Sequence, residues 1–301
     1  MSKEGGELGV WTFYTTVYTP WAEANRAPNT VASQGSAIYK WLHHYIDVSA
    51  YMDDIKPEDV SEYINADDGV SLSQRKFRLA SISSFLSLAK ERGYCKGNVA
   101  AKLRVNMKNL TTKQKEKRIK LPFRRSEYKL INKVLEETKP QTDRNVFWRY
   151  ATTLSYWTGL RLIDCASMEW DAVMTVPDHL VVWTAKAGDK HHARVALPMN
   201  HELLGSGVLA ELFNSLVDRF DPSTPYIWPT EQEMMNNTRK RSLLPQEYIR
   251  KLRKVGIHNK SFHCLRHSFV TRLRKEGVSL EEIGKLVAHT SEGTTEVYNH
   301  A

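Results

Sequence analysis

The sequence predicts a mainly α-helical fold of two domains, with a small antiparallel β-sheet confined to the second. Three observations carry that prediction. Apolar residues recur at three- and four-residue spacings through most of the chain, the pattern of helices with one buried face. Two short runs rich in branched residues, LVVWTA and ARVALP, flank the turn-forming KAGDKHH and so predict a hairpin. A polar, strongly basic stretch interrupts the apolar pattern after residue 106 and separates the halves.

Taken in order, residues 28–66 and 71–104 are helical material. In SAIYKWLHHYID, Ile38, Trp41, Leu42 and Tyr45 fall on one face. In SQRKFRLASISSFLSLAKERGY, Phe77, Leu79, Ile82, Phe85, Leu86 and Leu88 form the next apolar stripe. Gly93 ends that helix, after Lys90 and Arg92 in the last turn, where cations oppose the helix dipole. Arg75, Lys76 and Arg78 lie near its start, as either a solvated charged face or a contact for a polyanion.

The basic stretch, 107–124, holds Lys113, Lys115, Lys117, Arg118 and Lys120 around the single acid Glu116. It is expected to link a helical domain, 1–106, to a second domain, 125–301. Beyond it, SEYKLINKVLEE and RNVFWRYATTLSYWTG are helical by periodicity. GVLAELFNSLVDRF, PQEYIRKLRKVG, SFVTRLRKEG and SLEEIGKLVAH follow after the hairpin.

The 301 residues suffice for two domains, and 41% hydrophobic with 26% charged residues is a globular composition. The net charge of +9 favours a polyanionic partner, nucleic acid first. No apolar run approaches the roughly 18–20 residues that cross a bilayer. The N-terminus lacks the order of a signal peptide, so no membrane partner is expected and the location is expected to be cytoplasmic. Three scattered cysteines suggest neither a disulfide framework nor a Cys-x-x-Cys metal site.

Four stretches of the second half carry chemistry together: TGLRLIDCASMEW, TAKAGDK, HCLRH and AHTSEGTTEVYNH. His263 and His267 have metal-ligand spacing, but Cys264 faces elsewhere and further ligands are missing, so no metal is expected. The inventory suits chemistry on a phosphodiester. Attack on phosphorus builds negative charge on the non-bridging oxygens, which cations and strong donors stabilise. Arginine forks such as Arg161 and Arg266 bind two oxygens and keep their charge. A hairpin lysine can protonate a departing alkoxide, and a tyrosine can hold a covalent phosphoryl group.

These motifs, in this order, resemble those of tyrosine recombinases, the phage integrases and chromosome-dimer resolvases. The first motif reads Thr158, Gly159, Arg161 and Asp164. The hairpin lysine matches Lys186, and the His-x-Leu-Arg-His box matches His263, Leu265, Arg266 and His267. His289 matches the following histidine, with Ala288 where glycine is common, and Tyr298 lies nine residues on. The resemblance is specific over roughly 125–301; FLSLAKERGYCKGNVAAKL resembles the close of the family's helical core-binding domain less specifically.

The resemblance implies a two-domain, C-shaped clamp around duplex DNA. Tyr298 would be the nucleophile of a 3′-phosphotyrosine intermediate, with Arg161 and Arg266 clamping the scissile phosphate. Lys186 would be the general acid, and His263 and His289 would donate to the phosphate. Asp164 and His267 would act behind these groups. Strand exchange would pass through a Holliday junction without cofactor. The implied partners are a core site with inverted half-sites, a homo-tetramer on DNA and an optional accessory DNA-bending protein, on the nucleoid. Two rivals carry the same motifs: a type IB topoisomerase that relaxes DNA, and a DNA-binding factor of the same fold without catalysis. Only three residues follow Tyr298, so cleavage with weak tetramer assembly is expected. The short start leaves little room for an arm-binding domain, so simple core sites are expected.

Overall fold

The structure, a computed structural model, describes residues 8–66, 69–106, 121–184 and 193–287. The chain divides into two compact units, Met1–Arg118 and Ile119–Ala301, each with its own apolar core.

The first unit begins earlier than the periodicity suggests. Helix α1 (Val10–Phe13) runs through a π-helical stretch, Tyr14–Tyr18, into α2 (Thr19–Asn25). Phe13 and Tyr18 are both buried, yet five residues separate them, one too many for an α-helical face. The wider π turn absorbs the extra residue: Thr19 sends both its backbone N–H and its hydroxyl to the Tyr14 carbonyl. That off-period spacing explains why periodicity alone predicts no helix here.

Helices α3 (Pro28–Tyr45), α4 (Pro57–Asn65) and α5 (Leu72–Glu91) complete the unit. Proline at the first turn of α3 and α4 has no N–H to leave unsatisfied. The Ser71 hydroxyl caps α5 by accepting from the Gln74 N–H. Phe85 is the hub of this core, with the rings of Phe13 and Tyr18 at 5.2 Å and Trp41 at 6.1 Å. Gly93 follows α5 with φ +80, the left-handed conformation its place predicts. Residues 92–104 are turns and irregular chain, not helix, and Phe77 is 40% exposed outside the predicted stripe.

The second unit is built around α7 (Asp143–Thr158), whose Phe147, Trp148, Tyr150, Ala151 and Leu154 are all buried. Helix α6 (Arg125–Glu137) and α13 (His263–Lys275) both pack on it. Two short helices follow α7: α8 (Leu162–Ala166) and α9 (Asp171–Met174). Next comes the predicted hairpin, β1 (His179–Thr184) antiparallel to β2 (Ala193–Pro198), with His179 opposite Pro198 and Thr184 opposite Ala193. Helices α10 (Val208–Asn214), α11 (Pro229–Asn236), α12 (Leu243–Lys254), α13 and α14 (Leu280–Leu286) complete it.

The predicted helix over 207–220 stops at Asn214, and α11 was not predicted at all. The expected linker runs too far. Phe123 lies in the second core, and its N–H donates to the Ser268 hydroxyl of α13 at 2.7 Å. Among the described residues no helix is long and apolar enough to cross a membrane.

Candidate active site

The site is assembled where α7 ends. Thr158 turns its hydroxyl back to the Leu154 carbonyl at 2.6 Å, and the Ser155 hydroxyl donates to the Leu160 carbonyl at 2.9 Å. Between them Gly159 takes φ +72 and closes the helix. Glycine is needed here for space as well as conformation. A Cβ would lie 2.6 Å from Cδ1 of Phe269 and 3.0 Å from Cγ1 of Val287. The turn is therefore pressed directly onto α13 and the end of α14.

Arg161 leaves that turn in an extended conformation and precedes α8. Its N–H donates to Oδ2 of Asp164 at 3.1 Å, and its Nη1 lies 3.8 Å from the same oxygen. Asp164 is buried, so one carboxylate fixes both the backbone and the side chain of Arg161. The Arg161 side chain remains 31% exposed. An arginine aimed by a buried acid and still open to solvent is suited to meeting an anion.

Arg266 lies one turn into α13 and is only 1% exposed. Nη1 donates to the Gly159 carbonyl at 2.8 Å, and Nη2 donates to the Val287 carbonyl at 2.5 Å. One guanidinium thus joins the Thr158–Arg161 turn to the last described residue before His289. His263 opens α13 and is exposed, with its ring 5.0 Å from that of the half-buried His267. Cys264 is buried between them, so the two histidines and the thiol do not share a face. No group of three or more His, Cys, Asp or Glu that could hold a metal ion occurs among the described residues.

The structure therefore brings Arg161, Asp164 and Arg266 together, with His263 and His267 on the same helix as Arg266. Lys186, His289 and Tyr298 lie outside the described residues, as do Lys113, Lys115, Lys117, Arg118 and Lys120. β1 and β2 lead to and from the segment carrying Lys186, and α14 packs beside β2.

One expected contact is corrected. Arg75 is 1% exposed, and its Nη1 donates to the carbonyls of Ile64 at 3.4 Å and Asn65 at 3.0 Å. It serves the C-terminus of α4, where carbonyls lack intrahelical partners and carry partial negative charge. Arg78 is half-buried over the Tyr63 ring at 4.8 Å and donates to the Tyr63 carbonyl. Of the three cations at the start of α5, Lys76 is the exposed one. Sequence reasoning missed Arg272, Phe269 and Ser268. All three are on α13, and only the tightness of the Gly159 turn hints at them.

Comparison with known proteins agrees with this architecture. The family model described as "Phage integrase family" matches residues 122–301. The chain belongs to the phage integrase family. Among curated relatives, it is 30% identical over 154 residues to the tyrosine recombinase XerA of Pyrococcus furiosus, covering 50% of this chain and 49% of that protein. It is 27% identical over 168 residues to the tyrosine recombinase XerD of Lacticaseibacillus casei, covering 55% and 53%. The matches thus span about half the length of these relatives. In fold, the chain is similar to a lambda integrase dimer bound to a COC′ core site, with a TM-score of 0.72 at 20% identity over 98% of this chain and 78% of that one. It is similar also to the Tn1549 transposon integrase with circular intermediate DNA, with a TM-score of 0.69 at 14% identity over 97% and 95%.

Proposed function

We propose that this protein is a site-specific DNA recombinase that cuts and rejoins strands through a 3′-phosphotyrosine. The observation that carries the reading is the junction of Arg161 and Arg266 at the Gly159 turn. Two arginines of distant sequence converge there, on the Thr-Gly-x-Arg and His-x-x-Arg motifs of the family the chain belongs to.

In this reading the Tyr298 phenol loses its proton and its oxygen attacks the scissile phosphorus. The bond to the 5′-oxygen breaks, and Lys186 protonates that leaving group. Arg161 meets the charge growing on a non-bridging oxygen, and His263 and His289 donate beside it. Arg266 supplies a buried positive charge behind the turn. Direct contact with phosphate would exchange its bond to the Val287 carbonyl for one to a phosphate oxygen. Attack by a second strand's 5′-hydroxyl reverses the step and releases the tyrosine, so bond energy is conserved and no nucleotide is consumed.

The proposed substrate is a duplex core site with inverted half-sites. Four copies would act on it through a Holliday junction on the nucleoid, with an accessory DNA-bending protein as an optional partner. In domain terms, 1–106 would bind the core site, 107–124 would follow the phosphate backbone, and 125–301 would do the chemistry.

The test is a nicked half-site substrate whose cleavage releases a short fragment, with EDTA present throughout. Wild-type protein is expected to leave an SDS-resistant protein–DNA band, and Tyr298→Phe is expected to leave none. Binding by both proteins without a band from either would favour the non-catalytic binder. Relaxation of supercoiled DNA of any sequence would favour the topoisomerase.

A further inference from the structure

We propose that Arg272 is a positioning residue for cleavage: it ties the turn that bears Arg161, and the chain leaving the hairpin, to the helix that bears Arg266. The proposal rests on the recombinase reading above, and the geometry behind it lies wholly within the second unit.

Arg272 is half-buried on α13, six residues beyond Arg266. Its Nη1 donates to the Tyr156 carbonyl at 3.4 Å, five residues before Arg161. Its Nη2 donates to the Leu203 carbonyl at 3.2 Å, five residues after β2 ends at Pro198. The same plane lies 4.2 Å from the Trp157 ring centroid, 5.1 Å from Tyr156 and 5.6 Å from Phe269. One fork therefore bridges two backbone segments distant in sequence and is held flat by aromatic faces.

The aromatic neighbours extend the tie. Phe269 is the ring that leaves no room for a Cβ at Gly159. Trp157 leaves none at Gly205, which has φ +99 and would place a Cβ 2.9 Å from the indole. The Trp157 N–H donates to the Tyr128 hydroxyl at 3.1 Å, fixing the ring from its other edge. Burial here lowers the pKa of Arg272, the mark of a cation taken out of water. A lysine would retain the charge but has no planar fork to span two carbonyls or stack on Trp157. A purely apolar contact would be met more cheaply by leucine, so the bridging geometry is the feature that calls for arginine.

The consequence is mechanistic. Arg161 and Lys186 must meet one phosphate, yet they descend from different segments: one from the end of α7, the other from the hairpin. Arg272 holds the last turn of α7, just before Arg161, and the chain five residues beyond the end of β2. Loosening it would let Arg161 drift by fractions of an ångström without removing it, and misplacement near 1 Å costs on the order of 100-fold in rate.

The experiment uses the full chain as wild type, Arg272→Lys and Arg272→Ala, with three readouts. These are DNA Kd, single-turnover cleavage of the nicked substrate, and hydrogen exchange at individual amides. Arg272→Lys is expected to fold and to bind DNA within about twofold, with cleavage slowed roughly 10- to 100-fold. Exchange should rise at Leu160, Arg161, Leu204 and Gly205 while α12 is unchanged. Added methylguanidine should restore part of the cleavage in Arg272→Ala. Wild-type cleavage in Arg272→Lys would overturn the proposal. So would a loss of rate that tracks the folded fraction, or exchange that rises evenly across the unit. Should the wild type itself fail to cleave, the recombinase reading falls, and the exchange pattern alone still decides whether the tie exists.

Discussion

At the scale of the residue, the basic side chains divide by what their nitrogens already hold. Arg75 spends its guanidinium on the last carbonyls of α4, and a charged donor on such a group contributes about 1.5–3 kcal/mol. Lys76, its neighbour, is exposed and holds no carbonyl among the described residues. Arg75→Met is therefore expected to lower the stability of the first unit by about 1.5–3 kcal/mol in urea unfolding, while the folded variant keeps its DNA affinity. Lys76→Ala is expected to do the opposite: unchanged unfolding, weaker binding, and a salt slope shallower by about one. Weaker binding by folded Arg75→Met at unchanged stability would return Arg75 to the DNA surface. The sequence could not separate these neighbours. Both are cations in the first turns of one helix, and only the docking of α4 against α5 decides which one turns inward.

At the scale of the element, α13 and α14 organise the site and differ in how they start. Helix α13 opens on buried Phe262 without a side-chain cap and is held instead through Ser268 and Arg266. Helix α14 opens on a capping box. The Ser279 hydroxyl accepts from the Glu282 N–H at 3.2 Å, and the Glu282 carboxylate accepts from the Ser279 hydroxyl at 2.6 Å and its N–H at 3.1 Å. Those bonds, the hydroxyl first, hold the Glu282 pKa below its ordinary value of 4.5. A carboxylate with a depressed folded pKa stabilises above its unfolded pKa, and that stability is lost as pH falls through the folded value. Protection factors of the α14 amides, which remove the intrinsic pH dependence of exchange, are thus expected to fall once the pH drops below about 4.5, and Glu282→Gln should flatten that dependence. An unchanged pH profile in Glu282→Gln would show that the box does not hold the helix. This cap is legible in the sequence as Ser-x-x-Glu before an apolar run, and the hairpin is equally legible from its branched runs around Ala-Gly-Asp. The π turn at Tyr14–Tyr18 and the five-residue α8 are not. One breaks the helical period, and the other is too short to have one.

At the scale of the whole molecule, two properties coexist: separate cores and an uneven charge. The apolar cluster of the first unit spans Val10 to Ala100, and that of the second spans Phe123 to Val287, with no residue in common. The second unit owns every described member of the candidate site, and it keeps its N-terminal anchor in Phe123 and Lys260, whose Nζ lies 3.2 Å from Glu127. A fragment covering 121–301 is therefore expected to fold alone, with a melting temperature within a few degrees of the matching transition in the full chain. Charge predicts a different behaviour for binding. Residues 107–120 carry six basic residues against one acid in a chain of net charge +9. Each phosphate neutralised contributes about 0.9 to the slope of log affinity against log salt. If these cations lie along the backbone, the fragment should bind the same core site more weakly and with a slope shallower by as much as about five. Titrations of both proteins from low to moderate salt would read this directly. Equal slopes would mean that the stretch solubilises the chain and does not grip DNA, leaving the second unit to supply the electrostatic part of binding by itself.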